Sequence, residues 1–173
     1  MTEEQAKWLF KHLTDGYLTY EHSKIKMWGK EIHIPRLQSW MADDGVKPPL
    51  FQKQERKEWS PAILHLKQTL ESLLDAQFDY VLINYYRDGK DYIGWHSDGE
   101  AKKGDTRNIA SISLGVARRF ILKHNKTSEK TEYSLTNGSM IAMCGDCQTH
   151  YKHQVPKELK VTEPRINLTF RKN

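Results

Sequence analysis

Cysteine is nearly absent: Cys144 and Cys147 are the only two in 173 residues. A disulfide-stapled scaffold is excluded, and so is a zinc knuckle, because the single C-G-D-C has no second cysteine pair to complete four thiolate ligands. The motif follows a strand pattern and is read as a loop without redox duty. Long apolar runs are missing as well. No stretch approaches the roughly 20 residues of a membrane span, and residues 1–10 carry glutamates and no apolar core of signal-peptide length. The expectation is an intracellular protein, cytoplasmic or nuclear, with no membrane partner. The glycosylation-like triplets at Asn125, Asn137 and Asn167 are then chance matches. There is no internal repeat, low-complexity tract or linker, so 1–173 is expected to be one domain and a monomer. That length buries a real core without staples.

Positive charge is in excess, with 27 Lys and Arg against 22 Asp and Glu and a formal net charge of +5. A polyanionic partner such as nucleic acid is favoured, although charge alone does not establish one. Thr2 and Gln5 can form a capping box for a helix over residues 3–13, with Ala6, Leu9, Phe10 and Leu13 as its apolar stripe. Ser60 with Pro61 starts a second helix, on which Ile63, Leu66, Leu70, Leu73 and Leu74 form the buried face. Residues 17–50 read as irregular, with short strands at 25–28 and 32–34 broken by prolines. From Phe78 onward the pattern is strand-like, at 78–86, 108–114, 119–124, 132–135, 139–143, 151–155 and 165–171, punctuated by Gly and Asn turns. Two helices followed by many short strands predict an α+β fold, a jelly-roll double sheet with the helices packed against it.

The residues that carry chemistry begin at W-H-S-D, residues 95–98. His96 and Asp98 project from the same side of an extended chain and can be two ligands of one metal. A third ligand arriving from a distant strand would complete a 2-His-1-carboxylate facial triad. His153, about 55 residues beyond Asp98 in H-Y-K-H-Q-V-P, is placed to do so. The last strand, R-I-N-L-T-F-R, alternates at period two, which puts Arg165, Asn167, Thr169 and Arg171 on one face. Singly, H-x-D is a weak signal and the alternating strand is most simply half-exposed, with its polar face in water. Their joint order supplies a metal and a dianionic co-substrate in one pocket. A zinc hydrolase could use His96, Asp98 and His153 but would not need the arginines. A non-catalytic nucleic-acid-binding module would account for the charge but not for the order of the polar residues.

The run N-Y-Y-R-D-G-x-D-Y-I-G-W-H-S-D-G-E, the strand I-A-S-I-S-L-G, the N-G-S-M turn, H-x-V-P and the terminal P-R-I-N-L-T-F-R together resemble the AlkB family of Fe(II)- and 2-oxoglutarate-dependent dioxygenases, and most of all its animal nucleic-acid demethylases. The resemblance spans about residues 25–172. It implies a double-stranded β-helix, with residues 17–58 as a nucleotide-recognition lid. It also implies Fe(II) held by His96, Asp98 and His153, and 2-oxoglutarate bonded by Asn84 and Tyr86 and clamped by Arg165 and Arg171, with Asn167 and Thr169 in support. His150, three residues before His153, is the rival ligand and is read as structural. Glu100 matches an acidic position facing the exocyclic amine of the target base, while Arg36, Trp28 and Trp40 resemble the lid. Where relatives carry Tyr-Gly and then Y-T-Y or Y-T-F, this chain has Met41-Ala42 and then Lys47-Pro48-Pro49-Leu50-Phe51, leaving Phe51 or Trp40 as the stacking residue. The implied activity is oxidative demethylation of 1-methyladenine- or 3-methylcytosine-type bases in DNA or RNA, with release of formaldehyde, succinate and carbon dioxide. Lacking a clear aromatic finger to fill a vacated stack, the chain is expected to prefer single strands, whose bases are less costly to extrude. The basic stretches Lys102-Lys103 with Arg107, and Lys53 with Arg56-Lys57, would track phosphates. A protein-directed dioxygenase of the same family would share the iron and co-substrate residues and differ in the lid.

Overall fold

Both long helices begin at side-chain caps. In the computed structural model, which describes residues 1–27, 29–47, 55–98 and 108–172 and only the backbone of 25–27, α1 (Glu3–Thr14) opens on the expected capping box. Gln5 N donates to Thr2 Oγ1 at 3.2 Å, and Thr2 N donates to Gln5 Oε1 at 2.9 Å. In α2 (Pro61–Leu74), Ser60 Oγ accepts from Ile63 N at 3.3 Å and Pro61 takes the first turn, where no amide hydrogen is needed. The helices bury Ala6, Leu9 and Leu13, and Ile63 and Leu70. Leu73, assigned above to the buried face, is 65% exposed.

The strands form two facing antiparallel sheets and a hairpin. One sheet has the order β3 (Leu37–Ala42), β4 (Tyr80–Tyr86), β11 (Arg165–Arg171), β6 (Ile109–Gly115), β9 (Met140–Met143). The other runs β5 (Ile93–His96), β10 (Tyr151–Val155), β7 (Arg118–His124), β8 (Lys130–Leu135), and β1 (Lys24–Met27) pairs with β2 (Lys30–His33). Period two splits the larger sheet. Val81, Ile83, Ala110, Ile112, Leu114, Ile166, Leu168 and Phe170 join the helices in the main core. The opposite face turns Asn84, Tyr86, Arg165, Asn167 and Thr169 toward the smaller sheet, where Tyr86, Ile109, Phe120, Leu135, Met143 and Val155 make a second cluster. The α+β double-stranded β-helix with helices packed on it is thus the observed fold. The polar face of β11 is buried at Arg165, Asn167 and Thr169 and partly buried at Arg171, Arg165 being 1% exposed, so the half-exposed reading of that strand does not hold.

Two strands and one short helix escaped the sequence patterns. In β3, L-Q-S-W-M-A shows no alternation because five of its six residues are buried, as a strand covered on both faces requires. β5 has four residues, and α3 (Cys147–His150) is a single turn inside the stretch read as loop.

Gly89 closes the chain between the sheets: its N donates to Val161 O, and its O accepts from Glu158 N, both at 2.8 Å. A Cβ there would collide with the Glu158 carbonyl oxygen. Gly89→Ala is therefore expected to lower stability by about 1–3 kcal/mol, the usual range for overpacking. A urea midpoint unchanged from the parent would show that residues 156–161 yield freely.

Candidate active site

His96 ends β5 and His153 lies in β10 as its cross-strand partner, so pairing of the two strands brings the imidazoles to a 4.2 Å ring-centroid separation. Asp98 follows β5 by two residues. One ligand atom from each of His96, Asp98 and His153 lies within 4.8 Å of the others. His96 Nδ1 is 2.8 Å from Gly94 O, a contact that favours the proton on Nδ1 and leaves Nε2 aimed at Asp98 Oδ1, 3.8 Å away. His153 Nε2 stands 3.8 Å from Asp98 Oδ2. These separations are too long for hydrogen bonds and suit three donors converging on an ion. Asp98 Oδ2 is buried with no hydrogen-bond partner, an orphaned acceptor of the kind a cation satisfies.

The rest of Asp98 is fixed. Its Oδ1 accepts from Arg171 Nη2 at 2.8 Å, and its backbone N donates to Gln148 Oε1 at 2.9 Å. Burial opposes the Asp98 charge, but Arg171 and the two imidazoles outweigh it and hold the carboxyl below its ordinary range. Burial lowers His96 and pushes His153 down to about 4. At neutral pH the group is thus two neutral imidazoles and one carboxylate, the protonation state that divalent iron needs. The sign for stability follows. A histidine held neutral by the fold contributes fully above its ordinary value of 6.5 and loses that contribution as pH falls toward about 4. Metal-free protein is expected to show a urea midpoint that drops across this window and less so in His153→Leu. An equal drop in both would assign the acid lability elsewhere.

Behind this group, β11 and β4 build a second, cationic half. Arg165 Nη2 donates to Ser113 Oγ at 2.8 Å, and its guanidinium lies 5.2 Å over the Tyr86 ring. Its Nε and Nη1 are buried without hydrogen-bond partners. A buried cation with unmet donors suits a carboxylate. Asn84 Oδ1 accepts from Arg36 Nε at 2.8 Å and from Gln38 Nε2 at 2.9 Å. Asn167 Nδ2 donates to Ser111 Oγ at 2.7 Å, while Thr169 Oγ1 donates to Asn167 Oδ1 at 2.8 Å, so these two brace the wall. Arg171 shares the Arg165 face but lies six residues along the strand, about 20 Å in Cα, and there it engages Asp98.

The lid residues separate differently. Trp28, Phe51 and Glu100 lie outside the described residues, as do Lys53, Lys102, Lys103 and Arg107. Trp40 is 2% exposed and clusters with Ala42 and Tyr80, which makes it part of the wall rather than a ring offered for stacking. Arg36 is likewise turned inward, 9% exposed and bonded to Asn84. Arg56 is taken up by Ala42 O and Asp44. His150 is exposed and stands beside His124, outside the three-donor group. Sequence reasoning missed Ser111, Ser113, Gln38 and Gln148. The two serines were detectable as paired polar residues two apart in an otherwise apolar strand, whereas nothing local marks Gln148.

Among the described residues no helix is long and apolar enough to cross a membrane. The sequence matches the 2OG-Fe(II) oxygenase superfamily over residues 1–171. It is 33% identical to mouse "DNA oxidative demethylase ALKBH2" over 97% of this chain and 75% of that protein. It is also 33% identical to human "Alpha-ketoglutarate-dependent dioxygenase alkB homolog 3", over 97% of this chain and 62% of that protein. The fold is similar to the solved structure of OsALKBH1, with a TM-score of 0.65 and 16% identity, covering 98% of this chain and 93% of that one. The matched sequence and the converged His96, Asp98 and His153 place the chain in the 2OG-Fe(II) oxygenase superfamily, among its AlkB members.

Proposed function

We propose that this protein demethylates N-alkylated nucleobases of the 1-methyladenine and 3-methylcytosine type in nucleic acid, preferring single strands and acting as a monomer inside the cell, in cytoplasm or nucleus. The observation that carries the reading is the pairing of a 2-His-1-carboxylate group with the unmet donors of buried Arg165 across one inter-sheet space. Iron with 2-oxoglutarate and dioxygen would supply the oxidation, one oxygen atom going to the succinate formed with carbon dioxide and the other to the methyl group, which would leave as formaldehyde and restore the unmethylated base in its strand. His96, Asp98 and His153 would hold the metal, whose remaining coordination positions would be available to co-substrate and dioxygen. Arg165 Nε and Nη1 would receive a carboxylate of 2-oxoglutarate, with Asn84 and Tyr86 bonding the co-substrate and Arg171 as its second clamp. Arg171 keeps Asp98 ionised and turned to the metal. The apolar cluster of Phe120, Leu135, Met143 and Val155 excludes water from the buried side. Residues 17–58 are proposed to cover the extruded base, with Trp28, Arg36 and Phe51 contributing to that lid, Trp40 backing it from within the wall, and Glu100 accepting from the exocyclic amine of adenine or cytosine.

The test is incubation with methylated DNA and RNA oligonucleotides, single-stranded and duplex, with Fe(II) and 2-oxoglutarate, read by mass spectrometry and formaldehyde release. Loss of the methyl group from 1-methyladenine or 3-methylcytosine, fastest in single strands, is expected. Steady succinate formation with no oligonucleotide demethylated would overturn the nucleobase assignment and point to a protein substrate.

A further inference from the structure

Spacing alone assigns C-G-D-C no redox duty, whereas its conformation pairs the two thiols. Leaving β9, the chain turns at once: Cys147 N donates to Cys144 O at 3.3 Å, with Gly145 at a φ of +57° and α3 starting at Cys147. Residues at the two ends of such a four-residue turn have Cα atoms less than about 7 Å apart. A disulfide spans Cα atoms about 4.4–6.8 Å apart. Both thiols are free. Cys144 is exposed, so a dissolved oxidant meets it first, while Cys147 is half-buried against the cluster that holds Phe120, Met143 and Val155. Burial first, then Cys144 and the Asp98 carboxylate, push the Cys147 thiol up from its ordinary range, which sets both groups within its electrostatic reach. The next residue joins this turn to the metal group. Gln148 is buried; its Oε1 accepts from Asp98 N at 2.9 Å, and its Nε2 donates to Met143 Sδ at 3.4 Å. It ties the backbone of a metal ligand to the segment that carries both cysteines.

We propose that Cys144 and Cys147 form a reversible disulfide that loosens the metal group, a modification site that acts whichever substrate the enzyme takes. The oxidant is a peroxide. Hydrogen peroxide oxidises the Cys144 thiol to a sulfenic acid, its O–O bond breaking and one water leaving. The Cys147 sulfur then displaces the hydroxyl, which departs with the Cys147 proton as a second water, and the S–S bond forms. Two thiols thus give two electrons to one peroxide, and a dithiol reductant returns them. Drawing the exposed Cys144 and the half-buried Cys147 together moves the first turn of α3, and Gln148 with it, away from Asp98 N. In a reducing compartment such a bond is transient, and an exposed one is readily reduced.

The test treats the full chain, stripped of metal, with hydrogen peroxide, removes the oxidant, counts thiols and intact mass, and then titrates Mn(II) by the resonance signal of the free ion. Both thiols are expected to disappear together with the loss of two hydrogen masses. Mn(II) affinity should fall about 10-fold, the low end of the cost of losing a residue that braces a metal ligand. Dithiothreitol should reverse both changes. Treated Cys144→Ser should bind Mn(II) as the untreated parent does. Gln148→Leu should show the weaker affinity before any treatment and no further loss after it, with circular dichroism equal to the parent's to exclude misfolding. Two thiols persisting after treatment, or a disulfide that leaves Mn(II) affinity unchanged, would overturn the proposal. An equal loss in treated Cys144→Ser would do so too, assigning the damage to another side chain. A further loss in treated Gln148→Leu would refute the route through Gln148. A reduced parent that binds no Mn(II) would end the ligand assignment and this coupling together.

Discussion

Replacing His96, Asp98 or His153 with alanine is expected to abolish turnover and reduce metal affinity below detection, while His150→Ala keeps both near the parent level. Two remaining ligands cannot hold a divalent ion in a facial geometry, and β5 and β10 offer no substitute donor within the 4.8 Å group. The three losses should differ in stability. His96→Ala and His153→Ala remove neutral rings. Asp98→Ala leaves Arg171 facing a space without its carboxylate, and breaking one partner of a buried ion pair costs about 3–5 kcal/mol. Calorimetric titration with Co(II), alongside urea unfolding, reads both effects. Equal metal loss in His150→Ala would overturn the ligand assignment.

Arg165→Ala should weaken 2-oxoglutarate binding by about 2–5 kcal/mol, the cost of truncating one member of a buried charge pair, with little change in metal affinity. Arg165→Lys should not restore it, because an ammonium cannot reproduce two parallel N–H bonds and would leave Ser113 and the Tyr86 ring face differently served. Arg171→Ala is predicted to behave otherwise. Its guanidinium donates to Asp98 Oδ1, so metal and co-substrate affinity should fall together. The two arginines share a strand face and yet are separable by titrating metal first and co-substrate second. A parent protein that binds no 2-oxoglutarate would end the oxygenase reading.

The chemistry was legible in the sequence wherever short-range spacing encodes it. H-x-D needs only an extended backbone to aim two donors one way, and R-I-N-L-T-F-R needs only period two to sort its arginines from Ile166, Leu168 and Phe170. The caps at Thr2 and Ser60 are local as well, and both were found. What escaped depends on pairing between distant segments. Leu37–Ala42 carries no alternation because it is covered on both faces, a fact set by β4 and its surroundings rather than by its own residues. Gln148 reaches Asp98 from 50 residues away in sequence. Trp40 read as a lid aromatic by family resemblance, but strand register puts it opposite Leu82 in the wall. Leu73 sat on the helical stripe by spacing but faces solvent, while its neighbour Leu74 is the residue of that last turn that packs on the core.

The position of β11 between β4 and β6 has a kinetic consequence. Its residues pair with β4 positions roughly 80–90 earlier in the chain and with β6 positions about 50–60 earlier. Both closures must be made before the central strand gains its hydrogen bonds, and loop entropy is spent ahead of any return. Proteins dominated by such non-local pairing fold in milliseconds to seconds rather than microseconds. Until β11 docks, β4 and β6 each present an open, apolar edge of seven residues, so slow refolding at high concentration is where this chain is most prone to associate with itself.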